Sequence, residues 1–253
     1  MIVDPLLLWT VVGSAMGIIL ALAGTGGGIV AIPILMIFGG YDIKEASAYG
    51  LLALTVGAAL AWVIQRKNTL YPITGVIIVF AAFMAFISAP LKAMSPHWLV
   101  SIMLNLTCLF ALYSLWFLQT VENGDIILPT SYRIKTAALC GTITGFLSTM
   151  TGLGGGVVII PWLIGITKIS FEQAMACSVL SIAVTAPISA WGQGSVDLIF
   201  GEWMALISAL LVTSLSVKQL LAWTLPSHVL LVRKLTLTVV ITFSMIRTLW
   251  GLV

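Results

Sequence analysis

The sequence predicts an all-α polytopic membrane protein made of two inverted-topology repeats, each a glycine-broken helical hairpin followed by three spanning helices. Three observations predict it. Hydrophobic residues make up 60% of the chain and charged residues 8%, against about 45–50% and about 25% in soluble domains. The stretch Gly24-Thr25-Gly26-Gly27-Gly28-Ile29-Val30-Ala31-Ile32-Pro33 returns as Gly152-Leu153-Gly154-Gly155-Gly156-Val157-Val158-Ile159-Ile160-Pro161, 128 residues later in a chain of 253. The basic residues gather on one side of a membrane under only one folding parity.

Taken in order, residues 5–23 read as the first apolar helix, with Pro5 in a first turn that tolerates proline. The start, Met1-Ile2-Val3-Asp4-Pro5, lacks the positive n-region of a signal peptide, so this helix is expected to be retained. The glycines at 24–28 interrupt it. Residues 29–38 are apolar but too few to cross about 30 Å of hydrocarbon as a straight helix, and Gly39-Gly40 ends them. Runs 44–65, 71–92 and 97–118 are of spanning length, separated by Arg66-Lys67-Asn68 and Met94-Ser95-Pro96. The longest polar stretch follows, with Glu122, Asn123, Gly124, Asp125 and Pro129. It reads as a cytoplasmic linker, 119–132, between a first membrane repeat, 1–118, and a second, 133–253. The pattern then restarts with an apolar run at 134–150, glycines at 152–156, a short segment at 157–167, and spanning runs at 173–192, 203–222 and 229–250.

The match between halves extends beyond the glycines. At the same offset Gly17 pairs with Gly145, Ala46 with Ala174, Ala48 with Ala176 and Gln65 with Gln193, and a three-residue insertion aligns His97 with His228. A shared register of this length points to duplication. Cytoplasmic loops are enriched in Lys and Arg. If each glycine hairpin returns to its starting side, Arg66, Lys67, Arg133, Lys135, Lys168, Lys218, Arg233 and Lys234 share one side, and only Lys44, Lys92 and Arg247 lie opposite. If instead each short segment and the following run make one crossing, the split is nearly even, and Lys44 and Lys168 are stranded. The first parity is expected. It makes each half odd, inverts the second repeat and puts both termini outside.

A helix that begins inside a membrane leaves its first N–H groups without partners, and in lipid these must be covered by protein or face a wet cavity. Glycines leave them open to close approach, and the helix N-terminus favours an anion. The candidate binding residues are therefore Gly24, Thr25, Gly26, Gly27 and Gly28 in the first repeat, and Thr151, Gly152, Gly154, Gly155 and Gly156 in the second. Ser148 and Thr149 are further hydroxyl donors, and Gln65 and Gln193 end equivalent helices facing the same space. Close helix packing by small residues is the competing reading of the glycines, and interfacial capping that of the glutamines.

Other chemistry is not expected. Asp42, Glu45, Glu172, Asp197 and Glu202 all sit at segment ends or in loops, which disfavours an intramembrane proton relay. No HExxH, paired carboxylate or nucleophile–base constellation is present, so no catalytic residue, metal site or cofactor is expected. Neither glycine cluster leads into the Lys-Ser/Thr of a phosphate-binding loop. Cys108, Cys140 and Cys177 sit singly in apolar runs and read as small buried side chains. No basic cluster with interleaved aromatics marks a nucleic-acid surface. His97 and His228 read as interfacial residues, with pH sensing the alternative. Trp9, Trp62, Trp98, Trp203, Trp223 and Trp250 read as an aromatic belt. The partners expected are a small anion and the lipid bilayer, and a homo-oligomer is compatible with the sequence.

The duplicated GxGGGxxxxP of Gly24-to-Pro33 and Gly152-to-Pro161, with Glu45-Ala46-Ser47-Ala48 and Gln173-Ala174-Met175-Ala176 after each proline, resembles the TauE/SafE family of sulfite exporters, also called toluene sulfonate uptake permeases. The resemblance covers nearly the whole chain. It implies a secondary transporter of sulfite, organosulfonates or related small sulfur-containing anions in a bacterial inner membrane, with export the family's usual description. Such an anion suits N–H groups and hydroxyls without a buried cation. Rival readings are a transporter or channel for another small anion, and a non-transporting membrane assembly subunit.

Overall fold

The structure is a computed structural model in which residues 4–23, 27–117, 130–191, 193, 200–222 and 226–250 are described. These residues form ten α-helices: α1 (Pro5–Ala23), α2 (Gly28–Ile34), α3 (Ile43–Gln65), α4 (Tyr71–Met94), α5 (His97–Phe117), α6 (Thr130–Thr151), α7 (Gly156–Gly165), α8 (Phe171–Trp191), α9 (Phe200–Ala222) and α10 (Pro226–Trp250). A π-helical turn, Leu35–Gly39, extends α2 beyond Pro33. The apolar runs of the sequence therefore coincide with helices, the second glycine cluster with the break between α6 and α7, and Gly27 with the start of α2. Several boundaries move by two to four residues, the starts of α9 and α10 among them. α4 continues to Met94, past the 71–92 run, and α6 begins at Thr130, inside the stretch read as linker.

Among the described residues five helices are long and apolar enough to cross a membrane: Pro5–Leu22, Ile43–Asn68, Tyr71–Met94, His97–Trp116 and Phe171–Trp191. α6 is equally long but rich in threonine and serine. It buries Thr144, Ser148, Thr149 and Thr151 inside the protein, where a helix has no need to be apolar. The large exposed side chains, among them Phe80, Phe83 and Phe86 on α4 and Leu106 and Leu109 on α5, form the apolar exterior that lipid requires.

The start of α3 carries a reciprocal cap. Glu45 N donates to Asp42 Oδ1 at 2.8 Å and Asp42 N to Glu45 Oε2 at 3.2 Å. The same device recurs 128 residues on at α8, where Gln173 N donates to Ser170 Oγ at 3.3 Å and Ser170 N to Gln173 Oε1 at 3.4 Å. Each satisfies two of the donors a helix start leaves over. The internal match thus reaches down to helix-terminus chemistry.

Glycines set the closest helix contacts. On α1, Gly13 lies against the Leu206 carbonyl and Gly17 against that of Leu210; on α6, Gly141 lies against Ile77 and Gly145 against Ala81. Both partners advance four residues together, so α1 runs parallel to α9 and α6 parallel to α4. Lipid supplies little hydrophobic drive between helices, so close backbone approach does this work. Gly145→Ala would place a Cβ on the Ala81 carbonyl, which is backbone and cannot rotate aside. It is expected to destabilise the protein by about 1–3 kcal/mol, read as a lower Tm of the purified chain. Gly75→Ala, with nothing within 4 Å of the new Cβ, is expected to raise stability by up to about 1 kcal/mol.

α5 and α10 run antiparallel. Asn105 Nδ2 donates to Thr248 Oγ1 at 2.9 Å near one end, and Trp116 Nε1 to Thr238 Oγ1 at 3.1 Å near the other. Trp9 departs from the aromatic-belt expectation. It is fully buried, with its ring centroid 5.3 Å from that of Tyr49 and 6.3 Å from that of Tyr41. Its position near a chain end gave no hint that α2, α3 and α9 surround the start of α1. Trp98 and His97 are exposed at the start of α5, whereas the side chains of His228, Trp223 and Trp250 lie outside the described residues.

Candidate functional site

The second glycine element is built on a reversal of the backbone. α6 ends at Thr151, and Gly152 N still donates to Ser148 O at 2.8 Å. Gly152, Gly154 and Gly155 then take left-handed conformations, with φ of 77°, 80° and 76°. This allows the chain to turn within four residues and start α7. The Gly155 carbonyl accepts from Val158 N and Ile159 N at 3.0 and 3.1 Å. Leu153 N finds Thr151 Oγ1 at 3.3 Å. No hydrogen bond among the described residues uses the N–H of Gly154, Gly155, Gly156 or Val157, and all four residues are buried. These are the exposed donors of a helix start, held away from bulk solvent.

In the first element Gly24, Thr25 and Gly26 lie outside the described residues. Gly27 precedes α2, and its carbonyl accepts from Val30 N at 3.0 Å and Ala31 N at 3.1 Å. Gly28 packs on the second element: a Cβ there would lie 2.7 Å from Gly152 O and 3.1 Å from Leu153 Cα. The two glycine elements therefore meet backbone to backbone, and both flank the α3 stretch that contains Ser47 and Leu54.

The hydroxyls divide. Thr149 Oγ1 bonds to Gly145 O and to Ser189 Oγ, each at 2.9 Å, and Thr151 Oγ1 donates to Leu147 O at 2.7 Å. Both are occupied locally, as such side chains in helices commonly are. Ser148 is 1% exposed, and its Oγ has no partner among the described residues. A Cβ on Gly155 would sit 3.5 Å from that of Ser148. An unpartnered hydroxyl thus stands beside the unpartnered N–H groups.

The structure adds a residue the sequence reading placed elsewhere. Lys92 is 1% exposed. Its ammonium donates to Ser47 Oγ and, at 2.7 Å, to Gln193 Oε1. Ser47 donates its own proton to Lys44 O at 2.8 Å. Gln193 Nε2 donates to Ser189 O at 2.8 Å and Thr149 O at 3.3 Å, which fixes the amide with its oxygen toward Lys92. Ser47 also lies directly against Gly152. The expectation of a site without a buried cation is therefore corrected: an ammonium is buried beside the second glycine element. The signal was a lone lysine two residues before the end of a long apolar helix. Helical side chains point back toward the N-terminus, so a lysine there is directed into the protein.

Gln65 is not brought to this place. It ends α3, about 27 Å from Ser47 at 1.5 Å per residue, and lines a cavity of about 380 Å³ together with Leu20, Leu60, Glu172, Met175 and Leu211. At its rim Asn68 Nδ2 donates to Glu172 Oε2 at 3.3 Å. The equivalent glutamines thus mark opposite ends of one helix bundle. No cluster of metal-binding side chains occurs among the described residues. Cys108, Cys140 and Cys177 are buried and free.

The sequence profile of the family described as Sulfite exporter TauE/SafE matches residues 9–247. The chain is 31% identical over 199 residues to the Probable membrane transporter protein MJ0441 of Methanocaldococcus jannaschii, an alignment covering 72% of this chain and 69% of that protein. No solved structure matches the chain at a significant level. The match spans both glycine elements and both ends of the bundle, and with the apolar helices it makes this a multi-pass membrane transporter: the chain belongs to the TauE/SafE sulfite exporter family.

Proposed function

We propose that the protein is a secondary transporter that exports small sulfur-containing anions, such as sulfite or organosulfonates, by alternating access around its paired glycine elements. One observation carries the reading: a buried ammonium, that of Lys92, whose acceptors are both neutral and whose partner Ser47 lies on Gly152, in the turn that leads to a helix start with unpartnered N–H groups. A buried charge is costly unless it is paired, and helix starts favour anions. The site is the pair of glycine elements, Gly24 to Gly28 and Thr151 to Gly156, with Gln65 and Gln193 at the two ends of the path.

Inverted repeats, 1–118 and 133–253, underlie this mechanism. Support comes from packing: α1 lies parallel to α9 as α6 lies parallel to α4, the exchange expected of a two-fold axis in the membrane plane. The excess of Lys and Arg puts the Gln65 end and the linker in the cytoplasm, and both termini outside an inner (plasma) membrane. A negative-inside potential then favours anion export by about 2.3 kcal/mol per charge per 100 mV, so a uniporter suffices.

The test is efflux from liposomes loaded with sulfite, methanesulfonate, taurine or acetate. Saturable efflux of the sulfur anions, with counterflow, is the expected result. Saturable acetate flux alone would keep the carrier and discard the sulfur assignment. Flux without saturation would indicate a channel. No flux of any anion would favour an assembly subunit.

A further inference from the structure

We propose that Lys92 and Ser47 form an oxyanion subsite that exists at one end of the path only, with Gln193 holding the ammonium until an anion arrives. The inference rests on the anion-transport reading and deepens it. The ammonium touches Ser47 Oγ and Gln193 Oε1, and Lys44, whose Nζ donates to Ala93 O at 3.0 Å, adds a second positive charge on the neighbouring turn. The nearby carboxylate of Asp42 caps α3, accepting from Glu45 N. The Lys92–Gln193 bond joins an ion to a neutral acceptor, whereas an anion adds the attraction of two full opposite charges. An oxyanion headgroup that reaches Lys92 therefore displaces the amide oxygen of Gln193. It is an exchange of acceptors in which no covalent bond forms or breaks.

Gln193 cannot itself serve the anion in this arrangement. Its Nε2 is committed to the carbonyls of Ser189 and Thr149, and only its oxygen faces the site. Its role is that of a competitor. Releasing it frees the end of α8 from the end of α4, since the Lys92–Gln193 bond joins them.

The duplication shows that the subsite is one-sided. At the 128-residue offset Ser47, Lys44 and Gln193 correspond to Met175, Glu172 and Gln65. Gly13 meets Leu206 as Gly141 meets Ile77, a register that puts Leu221 where α4 has Lys92. The mirror of an ammonium, a hydroxyl and a second lysine is thus a leucine, a thioether and a carboxylate. Gln65, Glu172 and Met175 line the cavity of about 380 Å³. Among the described residues lining that cavity none is a cation, and Glu172 carries a charge that repels an anion.

The experiment measures affinities of the purified full chain for sulfite, methanesulfonate and acetate by titration calorimetry, with thermal stability as the check on folding. Lys92→Met is expected to weaken binding by about 30-fold or more, the range seen when one partner of a buried charge pair is removed. Gln193→Ala is expected to tighten binding by removing the competitor, and Met175→Ala, at the mirror of Ser47, to leave it unchanged. A folded Lys92→Met protein that binds as the unaltered chain does would overturn the subsite. So would a Gln193→Ala protein with about tenfold weaker binding, which decides the matter even if Lys92→Met fails to fold. Equal losses from Met175→Ala and Lys92→Met would overturn its one-sidedness. If the unaltered chain binds none of the three anions, the transport reading itself fails, an outcome distinct from all of these.

Discussion

Gly152→Ala is expected to destabilise the protein by about 2–5 kcal/mol and to remove anion binding with it, the sum of two costs at one atom. The first is conformational: φ at Gly152 is 77°, and a side chain in left-handed backbone costs about 1–2 kcal/mol. The second is overlap: the new Cβ would fall on the Cβ and Cα of Ser47, and overpacking costs about 1–3 kcal/mol. Ser47 Cα belongs to the backbone of α3, so relief requires α3 to move away from the end of α6. That movement takes Ser47 away from Lys92. Gly40→Ala separates the two costs, because Gly40 also has positive φ, 70°, but nothing lies within 4 Å of its Cβ. It should show only the conformational cost, about 1–2 kcal/mol, and bind normally. The measurement is the Tm of both purified variants, with and without sulfite. Equal Tm losses would mean that α3 and α6 yield freely, and the coupling of fold to site would be wrong.

Ser148→Ala is expected to do the opposite to stability. Its hydroxyl is buried without a partner among the described residues, and an unsatisfied buried polar group costs about 1–3 kcal/mol. Removing it should raise Tm in the absence of anion. The same change should weaken anion binding by about tenfold, since a hydrogen bond to a charged group contributes about 1.5–3 kcal/mol. Opposite signs on stability and binding characterise a site kept at the expense of the fold. A higher Tm with unchanged affinity would assign the glycine element to packing alone. Ser148 tests the element more cleanly than its glycines, because a Cβ on Gly155 would meet Thr144 and one on Gly27 would meet the backbone of Met16. Either glycine variant disturbs packing and binding together.

Much of this was legible in one dimension. Apolar runs bounded by Arg66-Lys67-Asn68 or Ser95-Pro96 became helices close to their expected limits, because helix ends and hydrocarbon thickness are local properties. The repeated glycines marked the break between α6 and α7 and the start of α2 for the same reason. Gln193 was singled out from its place in the repeat and stands beside the second glycine element; Gln65, singled out by the same argument, stands at the other end of the bundle. Trp9 was read as interfacial and is buried, since its surroundings come from α2, α3 and α9. Lys92 was counted among the loop charges, because its burial depends on where α3 and α8 end relative to α4.

By itself the sequence determined an all-helical membrane chain with an internal match at half-chain spacing, and its family. Composition, periodicity and the internal offset are all readable without knowing any contact. Only the tertiary structure decided which helices pair, that the two glycine elements touch, and that an ammonium is buried among neutral acceptors where α3, α4 and α8 meet. Lateral packing of helices in lipid depends on the shapes of both partners rather than on the hydropathy of either. Ser47, Lys92 and Gln193 come from three helix ends that meet only once α3, α4 and α8 are packed.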